Sequence, residues 1–263
     1  MAGRLDDQVV VVTGASRGIG RAIAVAMAAE GARLALTARD EDTLAGTLAD
    51  IDGLGLGDDV LTVACDVADE ASVQRLGDAV EARFGRVDTV VANAGIAGPT
   101  LALHEIGLAE WRECLATDLD GVFLTFRRFV PALIAQRSGS LIAISSMTGK
   151  RPLPGRTPYA AAKTGVIGLV RTLATELGPF GVRANTVCPG AVDGPRIEAV
   201  IREQARQRGV GEEEARRAFT DSSPLGRLVR AQEVADACVF LAAPQSSSIT
   251  GEDLNVTAGV VMY

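Results

Sequence analysis

Histidine is nearly missing from this chain, with His104 the only one in 263 residues. The four cysteines, Cys65, Cys114, Cys188 and Cys238, lie far apart and form no Cys-x-x-Cys. These shortages argue against a His/Cys zinc site and predict reduced, mostly buried thiols of a cytoplasmic protein. A Ser-His-Asp hydrolase would have to recruit His104, which is expected in a surface loop. No run of about 18 apolar residues occurs, so no membrane span is expected. No basic run of five or more occurs either, and the formal net charge is −7. That balance argues against a nucleic-acid partner. The N-terminus reaches Arg4, Asp6 and Asp7 at once and does not read as a secretory signal.

What the chain does have is apolar sequence in a regular rhythm. Hydrophobic residues make up 48%, enough for one substantial core. Short β-branched runs predict strands at Val9–Val12, Leu34–Leu36, Val60–Val63, Val87–Val91, Ser140–Ile144, Val182–Val187 and Leu254–Val256. Amphipathic stretches between them predict helices near 18–30, 40–51, 69–84, 109–136, 157–178 and 231–242. Strands alternating with helices imply an α/β fold: one doubly wound, seven-stranded parallel sheet of Rossmann type, in a single domain spanning 1–263. Ligands of such folds bind at the carboxyl ends of the strands. One segment, 193–230, breaks the rhythm. Its polar residues at helical spacing (Ile197–Gln207 and Glu212–Phe219) suit either a substrate loop or a solvated excursion.

Val9–Val12 runs into Thr13-Gly14-Ala15-Ser16-Arg17-Gly18-Ile19-Gly20 and then a helix. The spacing is Gly-x3-Gly-x-Gly. Glycines allow a tight turn and a close backbone approach, and a helix N-terminus offers free N–H groups to a diphosphate. Ser16 can add a hydroxyl. The second strand ends in Thr37-Ala38-Arg39-Asp40, with no acidic residue at the strand end itself. Arg39 and Arg17 suit a 2′-phosphate, because guanidinium forks bind phosphate oxygens in pairs. NADP(H) is therefore favoured over NAD(H), with Asp40 as the counter-evidence.

Tyr159 and Lys163, four residues apart in Tyr-Ala-Ala-Ala-Lys, share one helix face. A cation beside a phenol favours the ionised form, which suits a proton donor and acceptor near neutral pH. Taken alone, the pair reads first as an exposed aromatic beside a solvated lysine.

With these motifs in order, the chain resembles the classical short-chain dehydrogenases/reductases over nearly its whole length. Thr13–Gly20 matches the family's glycine turn, and Asp66-Val67 its adenine-contacting pair. Asn93-Ala94-Gly95 matches its strand end, although Ala92 stands where another Asn is common. Ser146, Tyr159 and Lys163 match the catalytic residues. Pro189-Gly190 matches the turn beside the nicotinamide, with Val192 as the expected backbone contact to the carboxamide. The resemblance implies hydride transfer between a ketone and a secondary alcohol, with Tyr159 as general acid or base. Lys163 would hold the nicotinamide ribose, and Ser146 would orient the substrate oxygen. Ser145, one step out of register, is read as structural. The resemblance also implies a homotetramer built through the long helices near 109–136 and 157–178 and the last strand.

The chain departs from the family pattern in places. Asp118, in Asp118-Leu119-Asp120-Gly121-Val122-Phe123, stands where the family's fourth catalytic residue is an asparagine. It is either a simple replacement with water supplying the lost donor, or a residue that shifts the pH optimum. Gly194 replaces a threonine that often touches the cofactor, and Val256-Thr257-Ala258-Gly259 replaces Val-Asp-Gly-Gly. Lys150, Arg151 and Arg156 suit either an anionic substrate group or a solvated loop face. A 3-oxoacyl thioester, a sugar or polyol used with NAD, and a cyclic or steroidal ketone all fit as substrates, with acyl-carrier-protein reductases the first resemblance. A nicotinamide-binding regulator without turnover is the alternative of another class. Such proteins typically lose the Tyr or the Lys, and this chain keeps both.

Overall fold

A computed structural model describes residues 3–263. Seven parallel strands form one sheet in the order β3-β2-β1-β4-β5-β6-β7. They are β1 (Val9–Thr13), β2 (Arg33–Ala38), β3 (Val60–Ala64), β4 (Thr89–Ala92), β5 (Gly139–Ile144), β6 (Val182–Pro189) and β7 (Asp253–Val256). Between them run α1 (Gly18–Ala29), α2 (Ala45–Asp52), α3 (Glu70–Phe84), α4 (Leu108–Leu115), α5 (Gly121–Gln136), α6 (Thr157–Leu177), α7 (Pro195–Arg208), α8 (Glu212–Thr220) and α9 (Ala231–Ala242). The strand order reverses direction between β1 and β4, which opens a crevice at the carboxyl ends of those two strands.

The valine run of β1 shows why its sequence does not alternate. Val10 and Val12 pack on the face covered by α1 and α9, while Val9 and Val11 pack on the face covered by α3, α5 and α6. Both faces are buried, so every position is apolar. All four cysteines are free and buried.

Two expected helices differ in detail. The stretch near 40–51 begins as a short 3-10 helix, Glu41–Leu44, before α2. The stretch near 109–136 is one helical path interrupted by a π turn, Ala116–Asp120, between α4 and α5. The 193–230 segment carries a small core of its own, with Ile197, Val200, Ile201 and Ala205 of α7 against Ala215 and Phe219 of α8. It is therefore a packed unit, not a solvated excursion. A parallel bridge between Val192 and Val229 closes its base.

Candidate active site

The glycine turn is built to fit closely on one side and stay open on the other. A side chain at Gly20 would strike the Gly14 carbonyl oxygen at 2.1 Å, and one at Gly14 would strike Ala94 Cα at 2.8 Å. Gly18, at φ +55°, faces open space with nothing within 4 Å. No side chain caps the N-terminus of α1, which begins directly behind this opening. Open backbone in front of free N–H groups is the cradle a diphosphate requires. Asn93 holds the turn in place. Its Nδ2 donates to the carbonyls of Thr13 (2.9 Å) and Gly14 (3.0 Å). Thr13 Oγ1 accepts from the N–H groups of Asn93 (3.0 Å) and Ala94 (3.1 Å). The Thr13 hydroxyl, not singled out in the sequence, thus joins β1 to the end of β4.

The same residues Gly14–Gly18 also meet the Gly-x-Ser-x-Gly spacing of a hydrolase nucleophile turn. That chemistry needs a base on the serine. His104 is an exposed residue of the short 3-10 helix Leu103–Glu105 and forms no hydrogen bond to Ser16.

At the adenine end, β2 stops at Ala38. Asp40, the residue that argued against NADP(H), is exposed and engaged in a local cap. Its carboxylate accepts from Asp42 N–H at 3.1 Å and caps the 3-10 helix. Arg39 and Arg17 are both exposed. Asp66 is exposed and accepts from Ala68 N–H (3.0 Å), while Val67 beside it is buried.

At the nicotinamide end, Asp193 N–H donates to Val229 O (2.8 Å) and Val229 N–H to Ala191 O (2.9 Å). In a parallel bridge this pattern leaves the N–H and C=O of Val192 pointing the other way, free for a carboxamide. Gly190 could not be larger without crowding, since a side chain there would lie 3.0 Å from Thr257 Cα. The open crevice at Gly18 and the free amide of Val192 both fit a dinucleotide.

The reacting end is a floor of buried polar groups beneath Tyr159. Lys163 is 3% exposed and donates from Nζ to Ile144 O at 3.0 Å. Ser145 faces away from the crevice and donates to Lys163 O (2.8 Å), as its register predicts. Ser146 follows it, with its Oγ accepting from Thr148 N–H at 3.1 Å. Thr164 Oγ1 donates to Gly149 O (2.9 Å), so α6 is fastened to the turn that carries Ser146. Tyr159 is half-buried, with Lys163 Nζ 5.7 Å and the Arg156 guanidinium carbon 4.8 Å from its ring centre.

Asp118 sits within the π turn and is fully buried. Its Oδ1 accepts from Ile96 N–H (2.7 Å), while Oδ2 has no hydrogen-bond partner and lies 3.9 Å from Lys163 Nζ. That distance makes the Lys163 contact an electrostatic one, not a hydrogen bond. Burial raises the Asp118 carboxyl above the usual range, against the opposing pull of Lys163 and Ile96 N–H. The neighbouring Cys114 thiol is pushed up to about 11, chiefly by burial and then by Asp118.

The three basic residues between Ser146 and Tyr159 do not act as a unit. Arg151 is exposed. Lys150 reaches Asn255 (3.3 Å) and Asp253 (4.0 Å) near β7. Arg156 is buried, donating to Ala97 O at 2.6 Å. Arg196, within the 193–230 segment, was not distinguished from its polar neighbours in the sequence. It reaches from the first turn of α7 to Gly95 O at 2.6 Å. Its place seven residues after the Pro189 turn is the one local signal that could have marked it.

Comparison with known proteins identifies the family. Residues 14–261 match the family described as "Enoyl-(Acyl carrier protein) reductase", and the chain belongs to the short-chain dehydrogenases/reductases. It is 37% identical to the 3-oxoacyl-(acyl-carrier-protein) reductase FabG of Escherichia coli (strain K12), covering 98% of each chain. It is 37% identical to the cis-4-hydroxycyclohexanecarboxylate dehydrogenase of Sinomonas cyclohexanicum, covering 96% of each. Among solved structures, an actinorhodin polyketide ketoreductase with NADPH superimposes with a TM-score of 0.93 at 34% identity, covering 100% of each chain.

Proposed function

We propose that the protein is an NADP(H)-dependent oxidoreductase that interconverts a ketone and a secondary alcohol. The observation that carries this reading is the buried ammonium of Lys163 held against the Tyr159 ring at the carboxyl end of the sheet. The ammonium has one carbonyl as hydrogen-bond partner and the Asp118 carboxylate 3.9 Å away, which leaves N–H donors for a phenol that becomes negative during reaction.

The bound nicotinamide would supply or accept the hydride at the carbonyl carbon. In reduction the Tyr159 hydroxyl gives its proton to the substrate oxygen, and in oxidation the phenolate takes that proton back. Lys163 faces the negative charge that develops on the phenol oxygen and holds the ribose hydroxyls. Ser146 donates its hydroxyl hydrogen to the substrate oxygen while its lone pair stays on Thr148 N–H. Asp118 fixes Ile96 and sets the field around Lys163.

The cofactor contacts run through Gly14, Ser16, Arg17, Gly18, Ile19, Gly20, Arg39, Asp66, Val67, Ala94, Gly95, Pro189, Gly190 and Val192, with Asn93 bracing the wall. The preference for NADP(H) rests on Arg17 and Arg39 standing free while Asp40 is occupied as a cap. The NADPH-bound ketoreductase supports the same cofactor. FabG makes 3-oxoacyl thioesters the first substrates to try, and the cyclohexanecarboxylate enzyme adds ring ketones.

We read the protein as cytoplasmic. Among the described residues no helix is long and apolar enough to cross a membrane. A homotetramer would cover exposed Phe123 on α5 and the open edge of β7, and light scattering tests it. The deciding experiment for function is an NADPH-consumption screen over diverse ketones, repeated with NADH. No turnover across the panel would overturn the reading.

A further inference from the structure

We infer that Arg156 and Arg196 form a carboxylate anchor beside Tyr159, and that the substrate is an oxo acid or hydroxy acid bound as its anion. This rests on the oxidoreductase reading and narrows its substrate class.

The two guanidiniums come from different elements to one short stretch of backbone. Arg156 precedes the first turn of α6 and donates to Ala97 O, and Arg196 in the first turn of α7 donates to Gly95 O, each at 2.6 Å. Each makes a single hydrogen bond, and neither has a carboxylate within 4.0 Å among the described residues. Arg156 is only 5% exposed, and its Nε is buried without any partner. Most arginines of this protein that are even partly buried find an acid, as Arg128 finds Asp78 at 2.8 Å and Arg216 finds Glu198. Planar N–H donors left over in a cleft suit a bidentate carboxylate.

The charges around Arg156 do not supply that partner internally. Lys163 and Arg196 are positive, and Cys114, with its thiol pushed up, is neutral at ordinary pH. Tyr159, Cys114 and Asp118 act on the guanidinium, and Asp118, the carboxylate among them, has its Oδ1 engaged by Ile96 N–H. The cofactor's diphosphate is the other anion to consider. Its cradle is the glycine turn against Ala94, whereas Arg156 lies on Ala97 and the Tyr159 ring. A carboxylate held there lies beside the Tyr159 ring, whose centre is 4.8 Å from the Arg156 guanidinium carbon.

The test uses matched probes on the NADPH-loaded protein. These are 4-oxocyclohexanecarboxylate and its methyl ester, and acetoacetate and its methyl ester. Calorimetry reads binding, and NADPH consumption reads turnover. At least one acid should bind more tightly than its ester. Arg156→Gln should weaken that acid on the order of thirtyfold or more, through Kd and KM, and weaken its ester far less. Arg156→Lys should recover part of the loss. Arg196→Gln, on an exposed turn, should give a smaller loss and carries the test if Arg156→Gln does not fold.

Equal handling of acids and esters, or no binding of either acid, overturns the inference. So does a loss of NADPH affinity in both variants without acid–ester discrimination, which would assign the guanidiniums to the diphosphate. Turnover of the esters alone would sink the anchor and leave the oxidoreductase reading standing. Binding of an acid through Arg156 with no reduction of any ketone would sink the oxidoreductase reading instead.

Discussion

The glycine turn offers backbone N–H groups, an open face at Gly18 and two exposed guanidiniums at Arg17 and Arg39. The floor under Tyr159 holds three side chains almost out of water, Asp118, Lys163 and Arg156. The first region recognises shape and surface charge, so its interactions are separable and screened by salt. The second is a low-dielectric cluster in which each group sets the environment of the others. Changes at the glycine turn should therefore act on affinity and on stability one residue at a time. Changes on the floor should act on chemistry and on pH dependence together.

The largest effect should separate the two regions outright. Tyr159→Phe removes the proton donor and should lower turnover by about 10²–10⁴-fold. NADPH affinity, read by fluorescence titration, should barely move. A matching loss of affinity would mean that the two regions are not separable.

Gly20→Ala attacks the other region through packing. Its new methyl meets the Gly14 carbonyl at 2.1 Å, and Asn93 Nδ2 at 2.4 Å. The turn must shift, at an expected stability cost of about 1–3 kcal/mol in thermal or urea unfolding, together with weaker cofactor binding. Unaltered stability and affinity would show that the turn is looser than its contacts imply.

A smaller effect is expected from the exposed arginines. Arg17→Ala and Arg39→Ala should each weaken NADPH about tenfold and leave NADH nearly unchanged, with the gap shrinking as salt rises. A clear preference of the unaltered protein for NADH would remove the basis of the 2′-phosphate assignment.

The subtlest test is Asp118→Asn, followed by melting temperature from about pH 4 to pH 8. Burial raises the folded-state pKa of Asp118 above its unfolded value. The folded protein then holds more protons than the unfolded chain between the unfolded and the folded pKa. Its stability falls as pH climbs, because the charged carboxylate is penalised. Asparagine carries no such charge, so the variant should gain on the unaltered protein as pH rises. A constant gap would show that Lys163 and Ile96 N–H fully compensate the carboxylate.

Much of this was legible in one dimension. The strand rhythm, the glycine turn and the spacing of Ser146, Tyr159 and Lys163 depend on neighbours a few residues away, so they read directly. Ser145 against Ser146 was readable because strand side chains alternate. The basic loop was not, because nothing local separates the buried Arg156 from the exposed Arg151. Arg196 read as one more charge on a polar helix.

The sequence alone determined the fold class and the family and marked Tyr159 and Lys163 as the candidate acid–base pair, since these follow from periodicity and motif order. The tertiary structure decided what surrounds that pair. Arg196 meets Gly95 across 101 residues, Arg156 meets Ala97 across 59, and Asp118 reaches Ile96 across 22. Only packing brings such residues together, and it strips water from Arg156 and Asp118. Burial is also what distinguishes a solvated charge from one that waits for a partner.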